Sequence, residues 1–226
     1  MTREDALILM AKAPLPGQVK TRLCPPFTKA RAAALYRCLL EDTAAELARL
    51  TRVRRYLFYS PPDSGRLFRR DPFSGFETVP QSGGDLGERM AAAFAAVFAR
   101  GAVRAVLVGA DCPALSARLV AVAFRELASS AAAVYGPTCD GGFYLVALSA
   151  SSPAASLFQG VDWGTDGVLS EVTLRSREAG VPYSLLPSRF DVDTADDVAS
   201  LVRWARGHSF PACPRTRRWI TSRGGG

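Results

Sequence analysis

Residues 5–23 read DALILMAKAPLPGQVKTRL, an apolar strand followed at once by a glycine-containing basic loop. The strand is Asp5–Ala11, a short apolar run of the kind that lies inside a sheet. The loop contributes a glycine and three cations, namely Gly17, Lys12, Lys20 and Arg22. Backbone amides exposed by a glycine turn, together with nearby cations, suit a di- or triphosphate. The stretch therefore favours a phosphate site in an α/β fold, with an exposed basic loop as the alternative.

Two common nucleotide-binding motifs do not account for this loop. Lys20-Thr21 resembles the end of a Walker A motif, but the glycine that must precede the lysine is absent. No GxGxxG motif occurs in the chain, which disfavours a dinucleotide-binding site. A phosphate site here must therefore be of another type.

Strands and helices alternate through residues 5–206, which predicts one α/β domain. The predicted strands are 5–11, 55–59, 76–79, 103–108, 131–135, 143–148 and 183–186. The predicted helices are 28–50, 85–101, 116–128, 165–179 and 194–206, with Thr28, Asp85 and Ser116 as candidate N-caps of the first three. This order indicates a mixed, mostly parallel sheet with helices on both faces, and the short link 136–142 predicts one antiparallel step. Ligands of such sheets bind beyond the carboxyl ends of the strands.

Four carboxylates are predicted to lie in those loops. Asp111 follows the strand 103–108, where a carboxylate is costly unless it is solvated, paired or bound to a metal. Asp140 precedes two glycines, and Asp191 and Asp193 alternate in an extended segment. The plainer alternatives are a turn for Asp111 and Asp140 and a helix cap for Asp193. We expect Asp111, Asp191 and Asp193 to converge on one cation, because close carboxylates repel without one.

A further loop, QSGGDLGERM at residues 81–90, allows two interpretations. Its glycines permit a close backbone approach to a ligand, and Arg89 lies one turn into the next helix. Asp85 fits equally well as the N-cap of that helix, so the motif alone does not decide between a site and a turn.

The net charge of +7 is concentrated at the C-terminal end. Residues 1–197 hold 22 basic and 21 acidic side chains, whereas residues 198–226 hold six arginines and no acid. We interpret 1–206 as the folded domain that carries the phosphate loop and 207–226 as a basic, flexible tail that the chemistry does not need. A polyanion-binding arm is the alternative, and the near-neutral domain disfavours nucleic acid as a partner.

The cysteines, the single histidine and the lengths of the apolar runs limit the cellular compartments and the catalytic chemistry that we expect. The five cysteines form no CxxC pair and the N-terminus is a poor secretory signal, so we expect free thiols and a cytoplasmic protein. The single histidine, His208, excludes a multi-histidine metal site within one chain. No apolar run approaches the roughly 18 residues that a membrane span requires. Catalysis is expected to rest on carboxylates, lysine, arginine and bound metal.

Six motifs occur in a characteristic order over about residues 5–205. They are MAKAPLPGQVKTRL (10–23), GDLGERM (84–90), GADCP (109–113), GPTCDGGFYL (136–145), VDWGT (161–165) and DVDT (191–194). In this respect the chain resembles a bacterial family of GT-A-like nucleotide-diphospho-sugar transferases, some members of which are linked to arsenosugar biosynthesis. It is more distantly similar to the 2-phospholactate guanylyltransferases.

The resemblance implies a GT-A fold, whose Rossmann-like sheet binds a nucleoside diphosphate near its first strand. The implied nucleotide and phosphate ligands are Lys12, Gly17, Lys20, Arg22, Asp85 and Arg89. The implied ligands of Mg²⁺ or Mn²⁺ are Asp111, Asp191 and Asp193. Gly141 and Gly142 would face the acceptor or the sugar, and Asp140 would act as a base or position the acceptor.

Three functions follow as hypotheses. The first is a metal-dependent glycosyltransferase that uses a nucleotide-sugar donor and a small-molecule acceptor, and the second is a nucleotidylyltransferase that uses a nucleoside triphosphate. The third is a nucleotide-binding module without catalysis. Release of nucleoside diphosphate would indicate the first, and release of pyrophosphate the second.

Overall fold

A seven-stranded sheet lies at the centre of the computed structural model, which describes residues 4–207 and 213–222. The strands are β1 (Asp5–Lys12), β2 (Arg54–Ser60), β3 (Glu77–Pro80), β4 (Arg104–Val108), β5 (Ala133–Pro137), β6 (Phe143–Ser149) and β7 (Tyr183–Leu185). The helices are α1 (Lys29–Leu47), α2 (Leu86–Ala99), α3 (Ala117–Ser129), α4 (Ala154–Phe158), α5 (Val168–Glu178), α6 (Ala195–Gly207) and α7 (Pro214–Thr221).

The strand order is β3-β2-β1-β4-β6-β5-β7. Strand β6 runs antiparallel to β4 and β5, and the other pairs are parallel. The predicted mixed sheet and its antiparallel step between β5 and β6 are therefore confirmed. One edge of the sheet collects the carboxyl ends of β1 and β4 and the first residues of β6, so the loops there can share a site.

Helices cover both faces because successive residues of the strands point to opposite sides. Leu7 and Leu9 of β1 pack with α1 and α3, whereas Ile8 packs with α2, α4 and α5. The predicted caps are confirmed: Thr28, Asp85 and Ser116 accept hydrogen bonds from the backbone amides of Arg31, Glu88 and Leu119. These caps fix where α1, α2 and α3 begin.

The prediction of a wholly flexible tail is wrong for α7, which packs against α1. Trp219 is 7% exposed, and its ring lies 5.8 Å from that of Phe27. The buried carboxylate of Asp42 accepts hydrogen bonds from the backbone amides of Arg215 and Thr216, at 3.2 and 2.8 Å. A helix of only eight residues gives too short an apolar pattern to be recognised in the sequence.

Two other expectations concern the membrane and the thiols. Within residues 4–207 and 213–222, no helix combines the length and the apolar character that a membrane crossing needs. All five cysteines are free thiols. His208 lies outside the described residues.

Candidate active site

A cleft of about 580 Å³ opens at the carboxyl ends of β1 and β4. Six of the predicted site residues line it: Lys12, Lys20, Arg22, Arg89, Asp111 and Asp193. The other six do not belong to its wall: Gly17, Asp85, Asp140, Gly141, Gly142 and Asp191. The cleft thus combines four cations with two carboxylates at the ligand-binding edge of the sheet.

Lys20 is the most constrained of these cations. Its side chain is 6% exposed, and Nζ lies 2.9 Å from Oδ1 of Asp111 and 3.5 Å from Oδ1 of Asp193. Its backbone is left-handed (φ 50°), a conformation that costs a non-glycine residue free energy. Burial opposes the charge of the ammonium, but Asp111 and Asp193 outweigh it and raise the pKa of Lys20. Lys20 is therefore a charged lysine held between two carboxylates.

Asp193 is free to make these contacts because other residues cap α6. Oδ2 of Asp197 accepts hydrogen bonds from the amides of Asp193 and Thr194, and the Asp197 amide donates to Oγ1 of Thr194. This reciprocal arrangement is a capping box. The carboxylate of Asp193 instead pairs with Arg22, whose Nη1 lies 2.6 Å from Oδ2. The alternative of Asp193 as a helix cap is therefore wrong.

Asp191 lies beside the same cluster. Burial raises the pKa of its carboxyl to about 6, and the negative charges of Asp140 and Asp111 add to this effect. The Val192 amide donates to the carbonyl of Asp111 at 2.9 Å, which ties residues 191–193 to the end of β4. Residues 191–193 are thus held close to Asp111, although the two segments lie far apart in sequence.

The loop that carries Asp140 is held by tight backbone packing. Gly141 has a positive φ of 87°, and its carbonyl accepts a hydrogen bond from the Leu169 amide at 2.9 Å. A side chain at Gly141 would overlap the backbone of Asp166. The Gly142 amide donates to Oδ1 of Asp140 at 3.3 Å. The two glycines therefore hold the loop against residues 164–169 and leave Asp140 exposed.

The remaining predicted residues have local roles. Asp85 caps α2 and Gly17 makes a turn with a positive φ of 80°. The guanidinium of Arg89 donates to the carbonyls of Gly83 and Gly84, at 3.0 and 3.2 Å, on the rim of the cleft. The site interpretation of Asp85 and Gly17 stays a prediction.

Sequence reasoning missed several polar residues in the cleft wall, among them Gln81 and Tyr36. Nε2 of Gln81 donates to the carbonyls of Ala11 and Phe58, at 3.1 and 2.9 Å, and so bridges the ends of β1 and β2. The hydroxyl of Tyr36 accepts a hydrogen bond from the Lys12 amide at 2.9 Å. Tyr36 lies within an apolar helix pattern, so only Gln81, directly after the third strand, carried a sequence signal.

The predicted metal ligands are only partly assembled. Asp111 and Asp193 meet at the ammonium of Lys20. In the part of the chain that the structure describes, no three His, Cys, Asp or Glu side chains are grouped as metal ligands. The carboxylate oxygens have the donor chemistry that Mg²⁺ and Mn²⁺ prefer, so these two residues fit such an ion.

Comparison with known proteins identifies the family and confirms the fold. Residues 43–165 match the family described as "Uncharacterized protein conserved in bacteria (DUF2064)". No curated protein matches the sequence. A candidate nucleotide-diphospho-sugar transferase from Desulfovibrio desulfuricans G20 is 32% identical, with 98% of each chain covered and a TM-score of 0.88. The resemblance stated from the motifs is thereby confirmed.

Two more distant structures share the fold alone. Glucosyl-3-phosphoglycerate synthase from Mycobacterium tuberculosis, in complex with Mn²⁺, UDP and glucosyl-3-phosphoglycerate, has a TM-score of 0.55 at 12% identity. The match covers 92% of this chain and 81% of that one. CMP:2-keto-3-deoxy-manno-octonic acid synthetase with CTP has a TM-score of 0.53 at 11% identity, covering 90% and 99%. Glycosyl- and nucleotidyltransferases therefore both occur on this fold.

Proposed function

The chain belongs to the DUF2064 family, and we propose that it is a glycosyltransferase using a nucleotide-diphospho-sugar, a small-molecule acceptor and a divalent metal ion. The observation that carries this proposal is the cleft in which Lys12, Lys20, Arg22 and Arg89 face the carboxylates of Asp111 and Asp193. Such a cleft suits an anionic diphosphate, because its cations can pair with the phosphate oxygens and stabilise the charge on them.

In the proposed reaction the acceptor hydroxyl oxygen forms a bond to the anomeric carbon of the sugar. The bond from that carbon to the β-phosphate oxygen breaks, and the nucleoside diphosphate leaves with the electron pair. Cations that contact the diphosphate stabilise the charge that develops on it. Lys12 and Arg22 are exposed in the cleft and Arg89 is half-buried in its wall, and we assign this charge to these three residues.

The acceptor proton goes to a carboxylate near the reacting carbon. Asp140 is exposed on its glycine loop and lies close enough to Asp191 to raise the pKa of that residue. We assign Asp140 as the base, with Gly141 and Gly142 holding its loop in place. A general base must come within hydrogen-bonding distance of the proton that it accepts.

Asp111 and Asp193 would hold the divalent ion, with Asp191 beside them. When bound, Mg²⁺ or Mn²⁺ neutralises diphosphate charge. Both carboxylates already contact Lys20, so an ion that binds between them competes with that ammonium.

Product analysis separates the transfer reactions. Purified protein is incubated with Mn²⁺ and either a panel of nucleotide sugars or a panel of nucleoside triphosphates, each with small acceptors. Release of nucleoside diphosphate supports the proposal. Release of pyrophosphate from a triphosphate would instead support the nucleotidylyltransferase, and binding without turnover a non-catalytic module.

The cations of the cleft can be tested by nucleotide affinity. Arg22→Ala removes a charge-assisted contact, which should weaken UDP or GDP binding by about ten- to a hundredfold if that nucleotide is the one bound. Calorimetry measures the affinity, and Arg125→Ala, an exposed arginine of α3 outside the cleft wall, is the matched control. If Arg22→Ala and Arg125→Ala bind every nucleotide with equal affinity, Arg22 does not contribute to nucleotide binding.

A further inference from the structure

A second cavity has a volume of about 470 Å³. Its wall is formed by Ala114, Cys139, Ser188, Arg189, Phe190 and Trp204. Its size is within the range of small-molecule sites in proteins. None of these residues belongs to the wall of the first cleft.

The position of this cavity follows from the chain segments that form it. Cys139 immediately precedes Asp140, Phe190 immediately precedes Asp191, and Ala114 is three residues beyond Asp111. The backbone fixes two of these segments together, because the Cys139 amide donates to the Arg189 carbonyl at 3.0 Å. The wall of the second cavity is therefore built from the same three chain segments that carry Asp111, Asp140 and Asp191.

The wall combines one cation with an aromatic surface. Nη1 of Arg189 donates to the Ser188 carbonyl at 2.9 Å, and its guanidinium forms no ion pair with a described residue. The rings of Phe190 and Trp204 lie 5.6 Å apart at an angle of 71°, an edge-to-face pair. A guanidinium with donors to spare binds phosphate or carboxylate, and aromatic rings accept an apolar body.

We propose that this cavity binds a small organic acid, whose phosphate or carboxylate pairs with Arg189 and whose apolar part packs on Phe190 and Trp204. Its use as the acceptor rests on the proposed function; the binding of the acid does not. A hydroxyl on the same molecule would then approach Asp140, which directly follows Cys139 of the cavity wall.

Cys139 reports on occupancy, because its thiol is exposed in the cavity wall. Phenyl phosphate is the probe, benzyl alcohol its neutral counterpart, and the rate of Cys139 alkylation by iodoacetamide is followed by peptide mass spectrometry. Phenyl phosphate should slow alkylation in a saturable way, and Arg189→Gln should weaken this protection by about tenfold or more. Arg125→Gln is the matched control and should leave it unchanged.

A second measurement needs no added ligand. Iodoacetate is an anion and iodoacetamide is not, so Arg189 should raise the ratio of their rates at Cys139, and Arg189→Gln should lower that ratio. Equal protection and an equal ratio in the wild type and Arg189→Gln would overturn the proposal. If Arg189 is needed for the protection of Cys139 but no sugar transfer is found, the proposed function is wrong and the anion site is still supported.

Discussion

Asp191 carries a charge that the fold does not favour. Its pKa rises from 3.8 to about 6, first because it is half-buried and then because Asp140 and Asp111 are close. A carboxyl whose pKa is raised on folding holds its proton more tightly in the native state. The native state therefore loses stability as the pH rises between about 4 and 6, and the loss persists at neutral pH.

Asp191→Asn should remove this cost. We expect a gain in the free energy of unfolding on the order of 2 kcal/mol near neutral pH, allowing for solvent screening of the half-buried charge. The gain should fall as the pH drops through about 6 to 4 and vanish below about pH 3, where Asp191 is protonated in both states. Urea unfolding with a chelator present measures it, and Asp196→Asn, on the exposed first turn of α6, is the control. A gain in the free energy of unfolding that is the same at neutral pH and at acid pH would contradict this account.

Lys20 has the opposite effect, because it neutralises its neighbours. Lys20→Met leaves Asp111 and Asp193 without their shared ammonium and should destabilise the fold by about 1–3 kcal/mol. Arg22→Met should cost about 1 kcal/mol or less, since the Arg22 side chain is 69% exposed. Adding Asp193→Asn to Lys20→Met should recover part of the loss. Fully additive effects in this double-mutant cycle would show that Lys20 and Asp193 do not interact.

The loop that carries Asp140 depends on a close backbone approach. Gly141 and Gly164 both have positive φ, 87° and 99°, but only Gly141 has neighbours where a Cβ would be placed. Gly164→Ala should cost about 1 kcal/mol from backbone strain alone. Gly141→Ala should cost several kcal/mol more, because its Cβ would overlap the Asp166 backbone. Denaturant unfolding of the two variants separates the contributions, and equal values would contradict the overlap.

Local patterns predicted the regular elements well. Thr28, Asp85 and Ser116 marked helix starts, and the short link after β5 marked the antiparallel step, because caps and turns depend on a few neighbouring residues. The short helices α4 and α7 were missed. Their apolar patterns span too few residues, and their stability comes from packing on α2 and α1.

The sequence indicated the place of the site on the sheet better than it indicated which side chains of the site contact one another. Parallel strands bring the ends of β1 and β4 to one edge, which explains why Lys20 and Asp111 lie close together. That Lys20 turns to carboxylates, and that Asp197 frees Asp193 from capping, depends on side-chain geometry. Thr194 and Asp197 have the spacing of a capping box, which is a local signal, whereas nothing local predicts that Lys20 contacts carboxylates.

Helix α7 packs on the side of the molecule that is formed by α1 and α6. Trp219 joins Leu35 and Leu39 of α1 and Leu201 of α6 in one apolar cluster. Asp42, which is 1% exposed, accepts hydrogen bonds from the backbone amides of Arg215 and Thr216 in the first turn of α7. A chain that stops after Arg206 would lose that packing and leave a buried carboxylate without these donors.

We therefore expect truncation after Arg206 to lower the free energy of unfolding by about 3–5 kcal/mol, the range for losing a buried aromatic side chain. Truncation after Ser222, which keeps α7, is the matched control. Asp42→Asn should recover part of the loss in the shorter chain and destabilise the longer one, because Asp42 has its α7 partners only there. Since α7 contributes no residue to the wall of the first cleft, nucleotide affinity should persist in the shorter chain at a temperature where it remains folded. Unchanged stability would show that α7 is dispensable, whereas a loss of affinity in a folded truncated chain would show that residues 207–226 act on the site.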